Sequence, residues 1–328
     1  MTKNSNRCSR SPEDSNICQC GAGIDSGTFE YSTPKVGSDC KEMSYYTNHA
    51  VHFADLDGDG RAEYLWVGPK GEVHAFYNQG APGGRDTPDA AKVGWWPAGE
   101  IASGVGARRH EVHFADLNGD GRAEYIWVHP DGSASVWLNQ GQKPGGKTPA
   151  NVGWYEQGLV AQGIGKPGST IRFADLNGDG RAEYISLDSE GGATVYLNLG
   201  PKPGTDPLGA QVEWMPQKKT TTGVGGIREQ VVFADINGDG RADYLYLPGV
   251  MSPSGDNNGR VHMWLNGGGP DNGPHAAEII WHPKGEIATG DGTPAYQVMF
   301  ADLNGDGRAE YLMVDPDTSA VSAYVNGC

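Results

Sequence analysis

FADLNGDGRAEY, residues 114–125, is one of five nearly identical dozens in this chain. The others are FADLDGDGRAEY at 53–64, FADLNGDGRAEY at 173–184 and 300–311, and FADINGDGRADY at 233–244. A catalytic site is usually built once, whereas a part repeated five times belongs to a structural unit that each copy needs for itself. The first Asp of each copy falls at Asp55, Asp116, Asp175, Asp235 and Asp302, at intervals of 61, 59, 60 and 67 residues. Other features keep the same phase. A Trp stands nineteen residues before the motif Phe in four copies (Trp95, Trp154, Trp214, Trp281), and an aromatic-apolar-Asn ending follows every copy, closing at Asn78, Asn139, Asn198, Asn266 and Asn326.

Each unit reads as four short strands. VHFAD-like and AEYLWV-like runs flank the acidic turn, a GPKG- or HPDG-like turn leads to a VHAFYN-like run, and a Gly/Pro-rich connection leads to the Trp. Val51 and Phe53 share one face of the first strand, and the position before the Phe varies (His52, His113, Arg172, Val232, Met299). Five four-stranded units predict an all-β fold, a five-bladed β-propeller. The last copy ends after its third strand, so its fourth must come from elsewhere, and GTFEYST at residues 27–33 is expected to close the ring. Residues 1–26 then form a Cys-containing extension and residues 27–328 the propeller.

The composition agrees. Glycine is abundant at 51 of 328 residues, and no apolar run is long enough to insert in a membrane. The net charge of −16 argues against a nucleic-acid partner. The motifs alone hold sixteen carboxylates, so the acidity is concentrated in them. The polar start MTKNSNRCSR is no signal peptide and is expected to be a mature N-terminus or a boundary with an added Met. Cys8, Cys18, Cys20, Cys40 and Cys328 sit at the chain ends, a distribution that suggests disulfide stapling in an oxidising, extracellular compartment, with Cys328 linked to an N-terminal cysteine.

Within the motif, oxygen-bearing side chains stand at positions 1, 3, 5 and 9, with Gly at 6. This is the first part of an EF-hand calcium loop, lacking the acid at position 12. The candidate ligands for Ca²⁺, about one ion per blade, are Asp55, Asp57, Asp59, Arg61 (through its carbonyl) and Glu63 in the first copy. The second and third copies offer Asp116, Asn118, Asp120, Arg122, Glu124 and Asp175, Asn177, Asp179, Arg181, Glu183. The last two offer Asp235, Asn237, Asp239, Arg241, Asp243 and Asp302, Asn304, Asp306, Arg308, Glu310. The competing reading is a metal-free Asn-Gly or Asp-Gly hairpin turn. Carboxylates crowded together five times over favour the cation.

On these residues the chain resembles the FG-GAP/VCBS calcium-binding repeat of integrin α-subunit propellers, secreted propellers and fungal FG-GAP-type lectins. The resemblance runs from Val51 to the C-terminus. It implies a propeller whose calcium loops are structural supports on one face, with ligands taken by the opposite face or by clefts between blades. Candidates on the opposite face are Trp66, Trp127 and Tyr246 (Ser186 and Met313 hold the same position), with Asp131, Asp188, Glu190 and Asp315 as acceptors for sugar hydroxyls. Packing between blades is the alternative for those rings, and the stronger reading for the third-strand aromatics and the fourth-strand Trp. The insertion PGVMSPSGDNNGR at residues 248–260 is either a ligand loop or a harmless excursion. No nucleophile elbow, HExxH or P-loop occurs, and HEVH at 110–113 is too closely spaced for a zinc motif. The expectation is a secreted calcium-stabilised carbohydrate-binding propeller with a glycan partner. A polysaccharide-active enzyme or its accessory domain, and a protein–protein adhesion module, are the alternatives.

Overall fold

The computed structural model describes residues 9–11, 14–19, 50–81, 93–142, 152–201, 212–249, 259–269, 279–290 and 292–327. It is a five-bladed β-propeller of antiparallel sheets, as expected. Blade one comprises Val51–Ala54, Glu63–Val67, Val73–Asn78 and Trp95–Ala102, paired in that order. Blade two comprises Val112–Ala115, Glu124–Val128, Ala134–Gln142 and Val152–Ala161. Blade three comprises Ile171–Ala174, Glu183–Leu187, Ala193–Pro201 and Val212–Lys219. Blade four comprises Val231–Ala234, Asp243–Tyr246, Val261–Asn266 and Trp281–Ala288. Blade five has three strands among the described residues, Val298–Ala301, Glu310–Val314 and Val321–Tyr324. A separate hairpin pairs Ser9–Ser11 with Asp14–Gln19. The proposed closing strand, the disulfide to Cys328 and most of the 248–260 insertion lie outside the described residues.

Inside each blade the motif Tyr is the hub. Tyr125 meets Phe114, Trp137 and Trp154 edge to face at centroid distances of 5.7, 5.6 and 6.2 Å, and it is buried. Such edge contacts add about 0.5–1.5 kcal/mol beyond the area they bury. The inner strand's variable position meets the motif Phe of the following blade: His52 lies 5.6 Å from Phe114, and His113 lies 6.0 Å from Phe173.

Four sets of hydrogen bonds tie blade to blade. The motif Ala amide donates to the first Asp carbonyl of the preceding blade, at 2.7 Å in all five junctions, including Ala62 to Asp302 across the ends of the chain. The third-strand Asn is buried and bridges the same seam. Asn198 Nδ2 donates to Ala182 O of its own motif and to Leu117 O of the blade before, and its Oδ1 accepts from Gly200 N. The other four Asn residues repeat the bridge, Asn78 reaching Leu303 O to close the ring. The Tyr hydroxyl donates to a turn carbonyl of the preceding blade: Gly71, Gly132, Gly191 and Gly259 for Tyr125, Tyr184, Tyr244 and Tyr311. Finally, the fourth-strand Trp indole of blades two to four donates to the blade before, at Ile101 O and Val160 O of its fourth strand and at Thr220 O just past it.

The Tyr hydroxyl set has one irregular member. Tyr64 donates to Ser319 O, and Ser319 holds φ +58° where the other four turns use Gly at +70° to +83°. A side chain in the left-handed region carries strain that Gly does not. Ser319→Gly is therefore expected to raise stability by about 0.5–1 kcal/mol in urea denaturation. A loss of stability would contradict this reading of the turn.

Candidate metal centres and an inter-blade cleft

The acidic loop is first a folded turn. Asp55 accepts Gly58 N on Oδ1 and Gly60 N on Oδ2, at 2.7 and 2.8 Å. Gly58 and Gly60 hold φ of +81° and +85°, and a Cβ at Gly58 would touch the Arg122 stem of the next blade. The position-5 Asp accepts the amide of the motif Arg and pairs with its guanidinium, as at Asp120–Arg122 and Asp179–Arg181, both 2.6 Å. The guanidinium is thus held by an acid of its own blade.

The position-9 acid turns inward. Glu63, Glu124, Glu183 and Glu310 are fully buried, and each accepts the amide of the position-2 Leu on Oε2 at 2.5–2.6 Å. Their other oxygens differ. Asn118 Nδ2 donates to Glu124 Oε1 at 3.3 Å, and Asn304 Nδ2 donates to Glu310 Oε1 at 3.2 Å. In blade four the shorter Asp243 takes Ile236 N and Asn266 N, one on each oxygen. Glu63 Oε1 and Glu183 Oε1 are buried without a hydrogen-bond partner. A buried, unpartnered carboxylate oxygen is costly, and it turns into a cluster of further acids.

Carboxylate oxygens of Asp55, Asp57 and Glu63 lie within 4.8 Å of one another, as do those of Asp116, Asp120 and Glu124 and of Asp175, Asp179 and Glu183. Each of these three groups could hold a hard divalent cation, since every donor is an oxygen and the one motif Arg leaves most of the crowded charge uncompensated. Blade one is the most acidic, with Asp57 where the other blades place Asn.

Burial dominates the proton affinities here. It pushes the carboxyls of Glu63, Glu124 and Glu183 up to about 9, against the lowering effect of the Leu amides. Glu310 rises to about 7, and Asp55, Asp175 and Asp243 rise to about 6, again chiefly through burial. A carboxyl whose folded pKa is raised contributes stability below its unfolded pKa and loses it as pH climbs through the folded value. The chelated chain is therefore expected to lose urea resistance between about pH 5 and 9, and saturating calcium to remove most of that slope. Parallel pH profiles with and without calcium would contradict this.

The candidate ligand residues of the opposite face are spread over separate blades, the aromatics on second strands and the acids on the turns that follow. Trp66 lies beneath the Arg109 guanidinium, 5.5 Å from its ring centroid, with His74 at its edge. Trp127 Nε1 donates to Glu111 and its ring lies tilted by 45° against His129, with centroids 4.2 Å apart. Tyr246 is half-buried against Gly226. Asp131, Asp188 and Asp315 each accept backbone amides of their own turns, and Glu190 is exposed on the Asp188 turn.

A concavity lies elsewhere. Between blades two and three lies a cleft of about 580 Å³. Leu159 and Ile164 line one wall, and Tyr184, Tyr196, Trp214 and Glu213 the other. The same aromatic rings that fill the blade interior thus present edges and faces to the seam. Sequence periodicity marks Tyr196 and Trp214 as packing residues, which they are; the space beside them depends on how far neighbouring fourth strands splay.

A model described as an FG-GAP-like repeat matches residues 55–127, 116–186 and 175–246, together more than half of the chain. No curated protein matches it. Among solved structures, the Photorhabdus luminescens Tc holotoxin pore is similar at 16% identity and a TM-score of 0.41, over 93% of this chain and 12% of the toxin chain. A TcdB2-TccC3-Cdc42 structure is similar at 17% identity and a TM-score of 0.40, over 89% of this chain and 15% of that one. An Agrocybe aegerita lectin, described as recognising non-reducing terminal N-acetylglucosamine, is similar at 19% identity and a TM-score of 0.39, over 84% of this chain and 80% of the lectin.

Proposed function

This chain belongs to the FG-GAP-like repeat family, and on that premise we propose that it is a secreted, calcium-stabilised propeller that binds carbohydrate between its blades. The observation that carries the reading is the cleft between blades two and three. Aromatic surface beside a solvent-facing carboxylate is what a sugar ring needs, an apolar face to stack on and an acceptor for its hydroxyls. Glu213 is exposed at this cleft, beside the half-buried Trp214 and Tyr196. Calcium in this account has no chemical role. The ions would be held by the position-1, -3, -5 and -9 oxygens and would neutralise the buried acids that fix each inner turn.

The reading is tested on a glycan array that includes terminal N-acetylglucosamine and uronic-acid oligosaccharides. Glu213→Ala, an exposed change, is expected to weaken binding at least tenfold with Tm unchanged. Binding that survives this variant places the ligand elsewhere, and failure to bind any glycan rejects the function.

A further inference from the structure

Half-buried arginines in this propeller are matched by oxygen. The five motif Arg residues pair with the position-5 Asp of their own loops. Arg228 pairs with Glu229 at 3.1 Å, and Arg172 donates to the carbonyls of Ser169 and Ile171. Among the described residues Arg109 is the exception. It holds the turn position of Arg228, three residues before an inner strand, but is followed by His110 where Arg228 is followed by an acid. Its guanidinium lies over the Trp66 ring, 5.5 Å from the centroid, and its Nε is buried without a hydrogen-bond partner.

A ring face attracts the charge but offers no oxygen to the five N–H donors of an Arg. Burial accordingly weakens the hold of Arg109 on its proton, and Glu72 opposes this by its charge without forming an ion pair with it. The turn itself is fixed. Glu111 Oε2 accepts Arg108 N at 2.9 Å and Trp127 Nε1 at 3.1 Å, so one short turn carries Arg109 to blade one and Glu111 to blade two. A donor fork held in place before its acceptor arrives loses little freedom on binding.

We infer that Arg109 anchors a second ligand site, in the seam between blades one and two, which takes the carboxylate group of a singly charged ligand. The planar guanidinium fork matches a carboxylate through two parallel hydrogen bonds. Two acids, Glu72 and Glu111, stand near this one cation, so a dianion such as phosphate meets more repulsion than a monoanion. Trp66 is the support of the guanidinium here, with His74 at its edge. The site shares no residue with the cleft between blades two and three and does not depend on it.

Isothermal titration calorimetry of the full calcium-loaded chain tests this with glucuronate, its uncharged methyl ester, acetate and inorganic phosphate. Glucuronate should bind, more weakly as salt rises, and the ester should not. Acetate should compete with glucuronate. Arg109→Gln is expected to weaken glucuronate binding about tenfold or more, and Arg109→Lys, which keeps the charge without the fork, by several-fold. Glu72→Gln removes a competing acid and should tighten it, whereas Glu213→Ala should leave it unchanged. No binding of glucuronate, equal binding by the parent and Arg109→Gln, or an ester bound as tightly as the acid would overturn the inference. Phosphate bound more tightly than glucuronate would overturn the choice of a monoanion. Binding lost in Glu213→Ala but kept in Arg109→Gln would overturn the site itself, by placing the carboxylate in the other cleft.

Discussion

Replacing Asn198 by Ala is expected to destabilise the chain by about 3 kcal/mol or more, far beyond the loss of one ordinary hydrogen bond. The side chain is fully buried and makes three bonds: Nδ2 to Leu117 O at 2.8 Å and to Ala182 O at 3.1 Å, and Oδ1 from Gly200 N at 2.9 Å. Truncation strands two carbonyls and one amide in a seam where each unsatisfied group costs about 1–3 kcal/mol. Asn198→Asp keeps the shape and the acceptor but cannot donate, and it buries a charge, so it is expected to be at least as damaging. Gln140, exposed beside the equivalent Asn139, is the matched control and should be near neutral on truncation. Urea denaturation reads all three. A loss below about 1 kcal/mol for Asn198→Ala would mean that the Asn bridge does not hold the blades together.

Calcium is expected to give the second large effect. A cation that binds only the folded chain stabilises it by about 2.7 kcal/mol per site at a hundredfold excess over its Kd. Three sites of the geometry seen in blades one to three would raise Tm by on the order of ten degrees. Glu183→Gln separates the ion from the turn. Gln keeps the carbonyl oxygen that accepts Leu176 N and removes an acid whose ionisation burial opposes. In chelator the variant should be as stable as the parent or slightly more so. In calcium it should lose about a third of the ion-dependent gain, one site of three. A variant that unfolds in chelator would show that Glu183 acts through packing alone, and an unchanged calcium response would remove it from the site.

Much of the fold was legible because five copies of one motif keep phase with a Trp and an Asn. Period, strand order and blade number follow from that spacing. The role of the Asn does not. Its phase marks it as part of each unit, but Asn198 and Leu117, whose carbonyl it holds, are 81 residues apart and meet only when blades stack. The acidic loop was legible for the same reason as the fold, since its oxygens are local. What sequence could not distinguish is which of these acids are already satisfied. Asp59 and its equivalents accept their Arg, whereas Glu63 Oε1 and Glu183 Oε1 have no donor. The opposite-face aromatics show the converse limit. Whether Trp66 and Trp127 are available depends on Arg109 and Glu111, brought against them by a short 3-10 turn that leads into blade two. Ser319 carried no signal, because a left-handed Ser is recognised by its φ and not by its neighbours.

Native mass spectrometry of the chelated chain, after exchange into calcium, tests most directly whether the repeated motif is a metal-pinned turn. The account predicts at least three bound calcium ions per chain and at most five, with three lost from the combined Glu63→Gln, Glu124→Gln, Glu183→Gln variant. A folded chain that binds no calcium, or that keeps its full complement in that variant, would contradict it.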